Sequence, residues 1–424
     1  MKHSIEVKPD EPYSQAMSQA IETCVHCGFC LPACPTYVEL GQEADSPRGR
    51  ILLMKQVLEN DLEPAEISEH VDQCLGCLAC ETACPSGVKY RDLISPYRAT
   101  HNNSPKKSFW ERVRDKIVSM TIPFPGRFRW AIRLGRLTKF LMFLAPKAMK
   151  PMADMIPDHL PARVALDPVY PTDLEEMARV ILLAGCAQQV LAPGINLDTI
   201  RLLNFCGATV EVPPAQSCCG ALSWHNGNAR QAQDLAQKNF APFLNDAEWI
   251  VTNAAGCGSG MQEYDVLFEG TEQRERASKV ADKVVDVSVL LSKLGFAEKV
   301  KSLTESVKPI KVAYHDACHL SNGQNVRNEP RQLIRSLPQV ELCELPGPEI
   351  CCGSAGTYNI EQPEIAGNLG TKKAKAVIGT DADILVTGNI GCIVQIQNHL
   401  KSLGSSIRVM HLVEFLVERL GISK

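Results

Sequence analysis

The chain has 424 residues, 45% of them hydrophobic, and a formal net charge of −4. That length supports two or three domains with sizeable cores, and the slightly acidic balance argues against wholesale nucleic-acid binding. Eighteen cysteines, with no secretory h-region in the first 23 residues and no apolar stretch near the roughly 18–20 residues of a membrane span, read as metal ligands rather than disulfides; a cytoplasmic protein is expected, at most peripheral on the inner membrane face.

Residues 1–99 carry one cysteine phrase twice. Cys24, Cys27, Cys30 and Cys34-Pro35 recur as Cys74, Cys77, Cys80 and Cys84-Pro85, the spacing of two-cluster bacterial ferredoxins. Three thiols one short loop apart can face three irons of a single cubane, while the fourth, followed by proline, serves the other cluster. Cys24, Cys27, Cys30 and Cys84 are therefore expected to hold one 4Fe-4S cluster, and Cys74, Cys77, Cys80 and Cys34 the second. Zinc is the alternative, since Cys-x2-Cys pairs also build tetrahedral sites, but two identical four-cysteine runs would strand thiolates there. Between the runs, Ser46 is placed to cap a helix entering at Pro47, so helices should flank the clusters. Arg48 and Arg50 either offset the clusters' negative charge or lie on a solvated helix face.

Residues 100–175 change character. From His101 to Lys150, twelve Lys or Arg face two acids, Glu111 and Asp115. Phe128, Trp130, Ile132, Leu134, Leu137, Phe140, Leu141 and Leu144 interleave with Arg127, Arg129, Arg133, Arg136 and Lys139, a basic amphipathic helix suited to an anionic membrane surface or an acidic partner. The alternative is a helix packed on its own protein. Prolines from Pro146 to Pro171 then mark a linker.

The remainder is an internal repeat, 176–305 and 306–424. Each copy opens on a buried strand, Val180–Leu183 or Ile310–Tyr314, followed by a helix, Ile195–Phe205 or Pro330–Ser336. A second strand, Thr209–Val212 or Glu341–Glu344, runs into Cys218-Cys219-Gly220 or Cys351-Cys352-Gly353, and a third, Trp249–Thr252 or Ile384–Thr387, ends near Cys257 or Cys392. Matching cysteines are 132, 133 and 135 residues apart, counting Cys186 with Cys318. The expected fold is a multidomain α+β and α/β chain: a mainly helical ferredoxin-like domain followed by duplicated α/β units whose cysteines gather at strand ends.

The repeat resembles the cysteine-rich CCG domain of heterodisulfide reductase B-type subunits and of iron-sulfur subunits of flavin-dependent dehydrogenases. That pattern closes on Cys-x2-Cys, and both copies lack the first cysteine of the pair, with Ala254 and Asn389 in its place. Cys186, Cys218, Cys219 and Cys257, and Cys318, Cys351, Cys352 and Cys392, still suffice for one 4Fe-4S cluster per copy; incomplete or zinc-filled sites are the alternative. Cys206 and Cys343 fall outside the pattern and read as small buried hydrophobes. His225, His315 and His319 sit beside the expected ligands and are expected to donate hydrogen bonds to a sulfur or to backbone rather than to ligate, with Asp316 orienting a neighbouring imidazole.

The chain as a whole resembles the iron-sulfur subunits of bacterial flavin-dependent glycolate oxidases, through Ser46–Ile51, Cys218–Leu222, His225–Gly227, Tyr314–Leu320 and Cys351–Tyr358. The resemblance implies a separate flavin subunit that oxidises glycolate to glyoxylate, electrons passing through this chain toward a quinone or similar acceptor, and no catalytic residue here. Lactate-utilisation and glycerol-3-phosphate dehydrogenase subunits share the cysteine motifs, and a heterodisulfide-reductase-like enzyme or a zinc-bound scaffold are the rival readings. No G-x-G-x-x-G follows a strand and no Walker loop appears, so the chain lacks a recognisable flavin or nicotinamide site.

Overall fold

A computed structural model describes residues 4–5, 7–8, 11–101, 107–301, 308–347 and 350–422. The N-terminal part is helical, with Ser14–Glu22, Pro35–Leu40, Pro47–Leu58, Pro64–Asp72, Ala79–Thr82 and Arg91–His101. Three of these helices begin with proline, whose fixed φ suits the first turn and whose missing N–H costs nothing there. Ser46 caps the third, its hydroxyl accepting from Gly49 N at 3.0 Å. Pro35 turns the chain into a helix directly after Cys34, which separates this cysteine from the three before it. The first and last helices pack through Met17, Ile21, Leu93, Ile94 and Tyr97.

Helices Phe109–Thr121 and Pro125–Thr138 follow, then a 3₁₀ stretch, Lys139–Leu144. Ser108 and Glu111 form a reciprocal capping box at the first of them.

Among the described residues nine strands make two sheets: β1 Val169–Tyr170, β2 Ala178–Leu182, β3 Ala208–Glu211, β4 Trp249–Thr252, β5 Val284–Asp286, β6 Ile310–His315, β7 Val340–Glu344, β8 Ile384–Thr387 and β9 Arg408–His411. Their orders are β1-β3-β2-β4-β5 and β7-β6-β8-β9. All pairs are parallel except β1 with β3. The duplication survives in register, because Val180 pairs with Trp249 as Val312 pairs with Ile384. β5 and β9 were not expected from the sequence. Each is short and runs straight into a helix through its own capping residue, Asp286 or His411, so no turn signal separates strand from helix.

The two sheets meet at the carboxyl ends of their central strands, where Ala255 N donates to Gly388 O at 3.2 Å. Helix Gly194–Phe205 packs on Leu412–Leu420 across the same boundary. The helical part seats on both copies: Tyr13 hydroxyl donates to Leu267 O at 3.3 Å, and Arg91 Nη1 donates to Gly323 O at 2.9 Å. The carboxyl ends of the parallel strands, the usual ligand-bearing edge of such sheets, thus face the cysteine-bearing loops of the N-terminal part.

Candidate metal centres

In the helical part the cysteines divide into two groups. Cys24, Cys27, Cys30 and Cys84 line one small cavity together with Cys80, Arg48 and Tyr90. Burial first, then the neighbouring charge of Cys84 and Cys27, pushes the Cys24 thiol up. Cys80 is pushed well up by burial and then by Cys77, Cys74 and Cys34. Cys84 thus bears on Cys24 of the first run, and Cys34 bears on Cys80 of the second as well as on Cys30 of the first. None of the eighteen cysteines is in a disulfide. Buried thiols whose charged forms repel one another are stabilised by a bound cation, and a donor set made only of sulfur fits iron held through thiolates.

Arg50 reaches the second group. It is fully buried, with Nη1 3.9 Å from Cys34 Sγ and 3.0 Å from Thr36 Oγ1, and Nε donating to His70 O at 2.6 Å. Arg48 instead pairs with Glu43 near the surface, at 2.6 Å, while Nη1 donates to His26 O. The two arginines thus part: one is a buried cation beside a thiol, the other a partly solvated ion pair.

The eight repeat cysteines line one cavity of about 820 Å³, together with Cys74. Cys186 and Cys218 sulfurs are 3.4 Å apart, and Cys318 and Cys351 sulfurs 3.9 Å apart. Gly220 and Gly353 follow their cysteine pairs with φ of +81° and +86°. That left-handed backbone turns each glycine N–H back toward the first sulfur of its pair, 3.5 Å from Cys218 and 3.4 Å from Cys351. Ala254 and Asn389 both border the cavity. Asn389 Nδ2 donates to Cys392 Sγ at 3.5 Å, a contact an alanine cannot make. These donor sets fit sulfur-bound iron as well, each carrying four thiols and a backbone N–H.

His225 and His319 lie close together, ring centroids 5.0 Å apart. His225 Nε2 is 3.6 Å from Glu263, whose other oxygen accepts from Trp224 Nε1 at 2.8 Å. Burial would raise the Glu263 carboxyl, but His225 and Arg91 hold it below the usual range. Burial, then the His225 charge, lowers His319 to about 4. Glu263 escaped the sequence reading because nothing in its spacing ties it to a cysteine. Asp316 does not orient an imidazole: both its oxygens accept from Arg331, at 2.8 and 2.6 Å. Cys206 is buried as expected, whereas Cys343 is only partly buried, since β7 is an edge strand.

The basic segment does two things. Phe128, Ile132, Gly135, Met152 and Ile156 roof the cavity, while Trp130, Leu134, Leu137, Phe140, Phe143 and Leu144 face outward, Leu137 being 74% exposed. Arg129 is not part of that outer face; it is 4% exposed and donates to Pro161 O at 2.6 Å. Among the described residues no helix is long and apolar enough to cross a membrane.

Comparison with known proteins agrees with this division. The 4Fe-4S dicluster domain family matches residues 20–88, so that segment is an iron-sulfur domain, and the cysteine-rich domain family matches 180–262 and 312–397. The "Probable glycolate oxidase iron-sulfur subunit" of Bacillus subtilis (strain 168) is 37% identical over 94% of each chain. The glycolate oxidase iron-sulfur subunit of Escherichia coli (strain K12) is 34% identical, again over 94% of each. Lactate utilization protein A of Anoxybacillus flavithermus is 30% identical over 57% of this chain and 99% of its own. A crystal structure of a hypothetical protein from Helicobacter pylori shares the fold, with a TM-score of 0.51 at 10% identity over 97% of this chain and 73% of its own. The chain belongs to the family of glycolate oxidase iron-sulfur subunits, electron-transfer components of an oxidoreductase complex.

Proposed function

We propose that this chain carries electrons from a flavin-containing partner subunit, where glycolate is oxidised to glyoxylate, toward a quinone or similar acceptor at the membrane. Cys24, Cys27, Cys30 and Cys84 hold one 4Fe-4S cluster, Cys74, Cys77, Cys80 and Cys34 the second, and each repeat's four cysteines a further iron-sulfur centre. Such clusters supply one-electron steps, which divide the two-electron equivalent of a reduced flavin.

The observation that carries this reading is the packing of Cys77 with Cys318 and Cys351 in one buried core. Asn322 Nδ2 donates to Cys77 O at 3.1 Å and Thr82 hydroxyl donates to Asn322 Oδ1 at 3.0 Å, so the second ferredoxin site is fixed against the second repeat. Those bonds hold the two sites at a fixed separation, which suits a chain of one-electron steps. Docking on an anionic membrane surface is supported by Trp130, Leu137 and Phe140 standing outward beside Arg127, Arg133, Arg136 and Lys139.

Anaerobic co-purification from native cells tests the whole. The expected material is brown, contains iron and acid-labile sulfide, brings a flavoprotein with it and reduces quinone when given glycolate. Colourless protein carrying zinc alone would overturn the reading.

A further inference from the structure

His315 differs from every other imidazole near the cysteines. It ends β6 and is 1% exposed, yet neither ring nitrogen makes a well-formed hydrogen bond. Leaving a buried polar atom unsatisfied costs about 1–3 kcal/mol, so such an atom calls for a ligand or a function. One ring nitrogen and the sulfurs of Cys352 and Cys392 all lie within 4.8 Å of one another, the one trio of metal-ligating atoms so grouped among the described residues.

The duplication supplies an internal control. The offset of 132 that relates Cys186 to Cys318 sets Leu183 opposite His315, and Leu183 is equally buried with no donor atom to offer. The first repeat presents four thiols; the second presents four thiols and an imidazole. The ring lies within side-chain hydrogen-bonding reach of Cys392, a sulfur that already receives a hydrogen bond from Asn389 at 3.5 Å. The ring is not held in service of a carboxylate, because Arg331 occupies both oxygens of the adjacent Asp316.

We infer that His315 is a direct imidazole ligand of the iron-sulfur centre of the second repeat, joining Cys318, Cys351, Cys352 and Cys392. The inference rests on the proposal above that the repeats hold iron-sulfur centres. A neutral imidazole brings no negative charge to iron where a fifth thiolate would, and exchanging imidazole for thiolate at a cluster lowers its reduction potential.

Pulsed EPR on the intact complex, purified anaerobically from cells fed natural-abundance or ¹⁵N-labelled histidine, tests this. The expected result is an isotope-sensitive coupling of the size of iron-bound nitrogen, lost in both His315→Leu and His315→Cys. His315→Cys should also keep its iron and show a lowered midpoint for one centre, while the ferredoxin-type signals stay unchanged. No isotope-sensitive coupling of that size, or a coupling unchanged by both substitutions, overturns the assignment. Iron content of Cys392→Ser separates the two levels: a fall shows that the repeat holds a centre, whereas unchanged iron removes that centre from the proposed function and this inference with it.

Discussion

Arg50 sets its Nη1 3.9 Å from the sulfur of Cys34 while its Nη2 lies 3.6 Å from Asp45. The cation is fully buried between a proposed cluster ligand and a carboxylate that also binds His70 Nδ1 at 2.8 Å. A positive charge held there favours the more negative, reduced state of whatever Cys34 binds.

Arg50→Met should therefore lower the midpoint potential of one ferredoxin-type cluster, read by EPR-monitored titration. It should also destabilise the fold by about 3–5 kcal/mol, because Asp45 loses a buried partner. Arg50→Lys retains charge without the fork and should fall between. A midpoint untouched in both variants would show that the cation serves folding alone.

Cys77 is the sulfur that packs between the helical part and the second repeat. Cys77→Ser should leave glycolate-dependent flavin reduction in the reconstituted complex intact and abolish quinone reduction. Persisting quinone reduction would take this site off the electron route.

Arg127, Arg133 and Arg136 are exposed, unlike Arg129. Each cation near an anionic surface contributes about 1 kcal/mol, so changing all three to glutamate should weaken sedimentation with anionic vesicles by at least two orders of magnitude. Leu137→Asp should weaken it as well, and with neutral vesicles too. Binding indifferent to these changes would leave the segment as a roof only.

A Cβ built on Gly220 would stand 2.7 Å from Ala232 O, and on Gly353 2.6 Å from Ala366 O. Gly220→Ala and Gly353→Ala should each cost about 1–3 kcal/mol from the left-handed backbone, plus the displacement of a helix carbonyl. Calorimetry should return similar losses for both, as the two contacts are copies of one another.

His411 joins the repeats, Nε2 donating to Asn253 O at 2.8 Å while Nδ1 accepts from Val413 N at 3.3 Å. Both nitrogens are satisfied by the neutral ring, and burial lowers its pKa from 6.5 to about 4. The folded pKa is below the unfolded one, so the ring's stabilising share is complete above about pH 6.5 and is lost as pH falls toward 4. Its loss amounts to about 3 kcal/mol at the acid end. Denaturation midpoints should show this fall in the native chain and lack it in His411→Gln.

The duplicated frame was legible because cysteine offsets and buried-strand runs repeat with little drift; helix Gly194–Phe205 and strands β4 and β8 lie within a residue of where those patterns put them. Ser46 capping was legible for the same local reason. What spacing could not give is which charges end up inside. Arg48 and Arg50 stand two residues apart on one helix, yet only Arg50 turns inward. Arg129 likewise reads as one more cation in a basic run until the helix phase buries it against Pro161. The shared cavity was out of reach as well, since it arises only when two sheets present the same edge to each other.

Eight sulfurs opening into a single chamber have a bearing on oxidative damage. Dioxygen admitted past the roof of Phe128, Ile132 and Met152 would meet both repeats together. Inactivation by air should then advance in one phase for the pair, and loosening that roof should hasten the decay of each to the same extent.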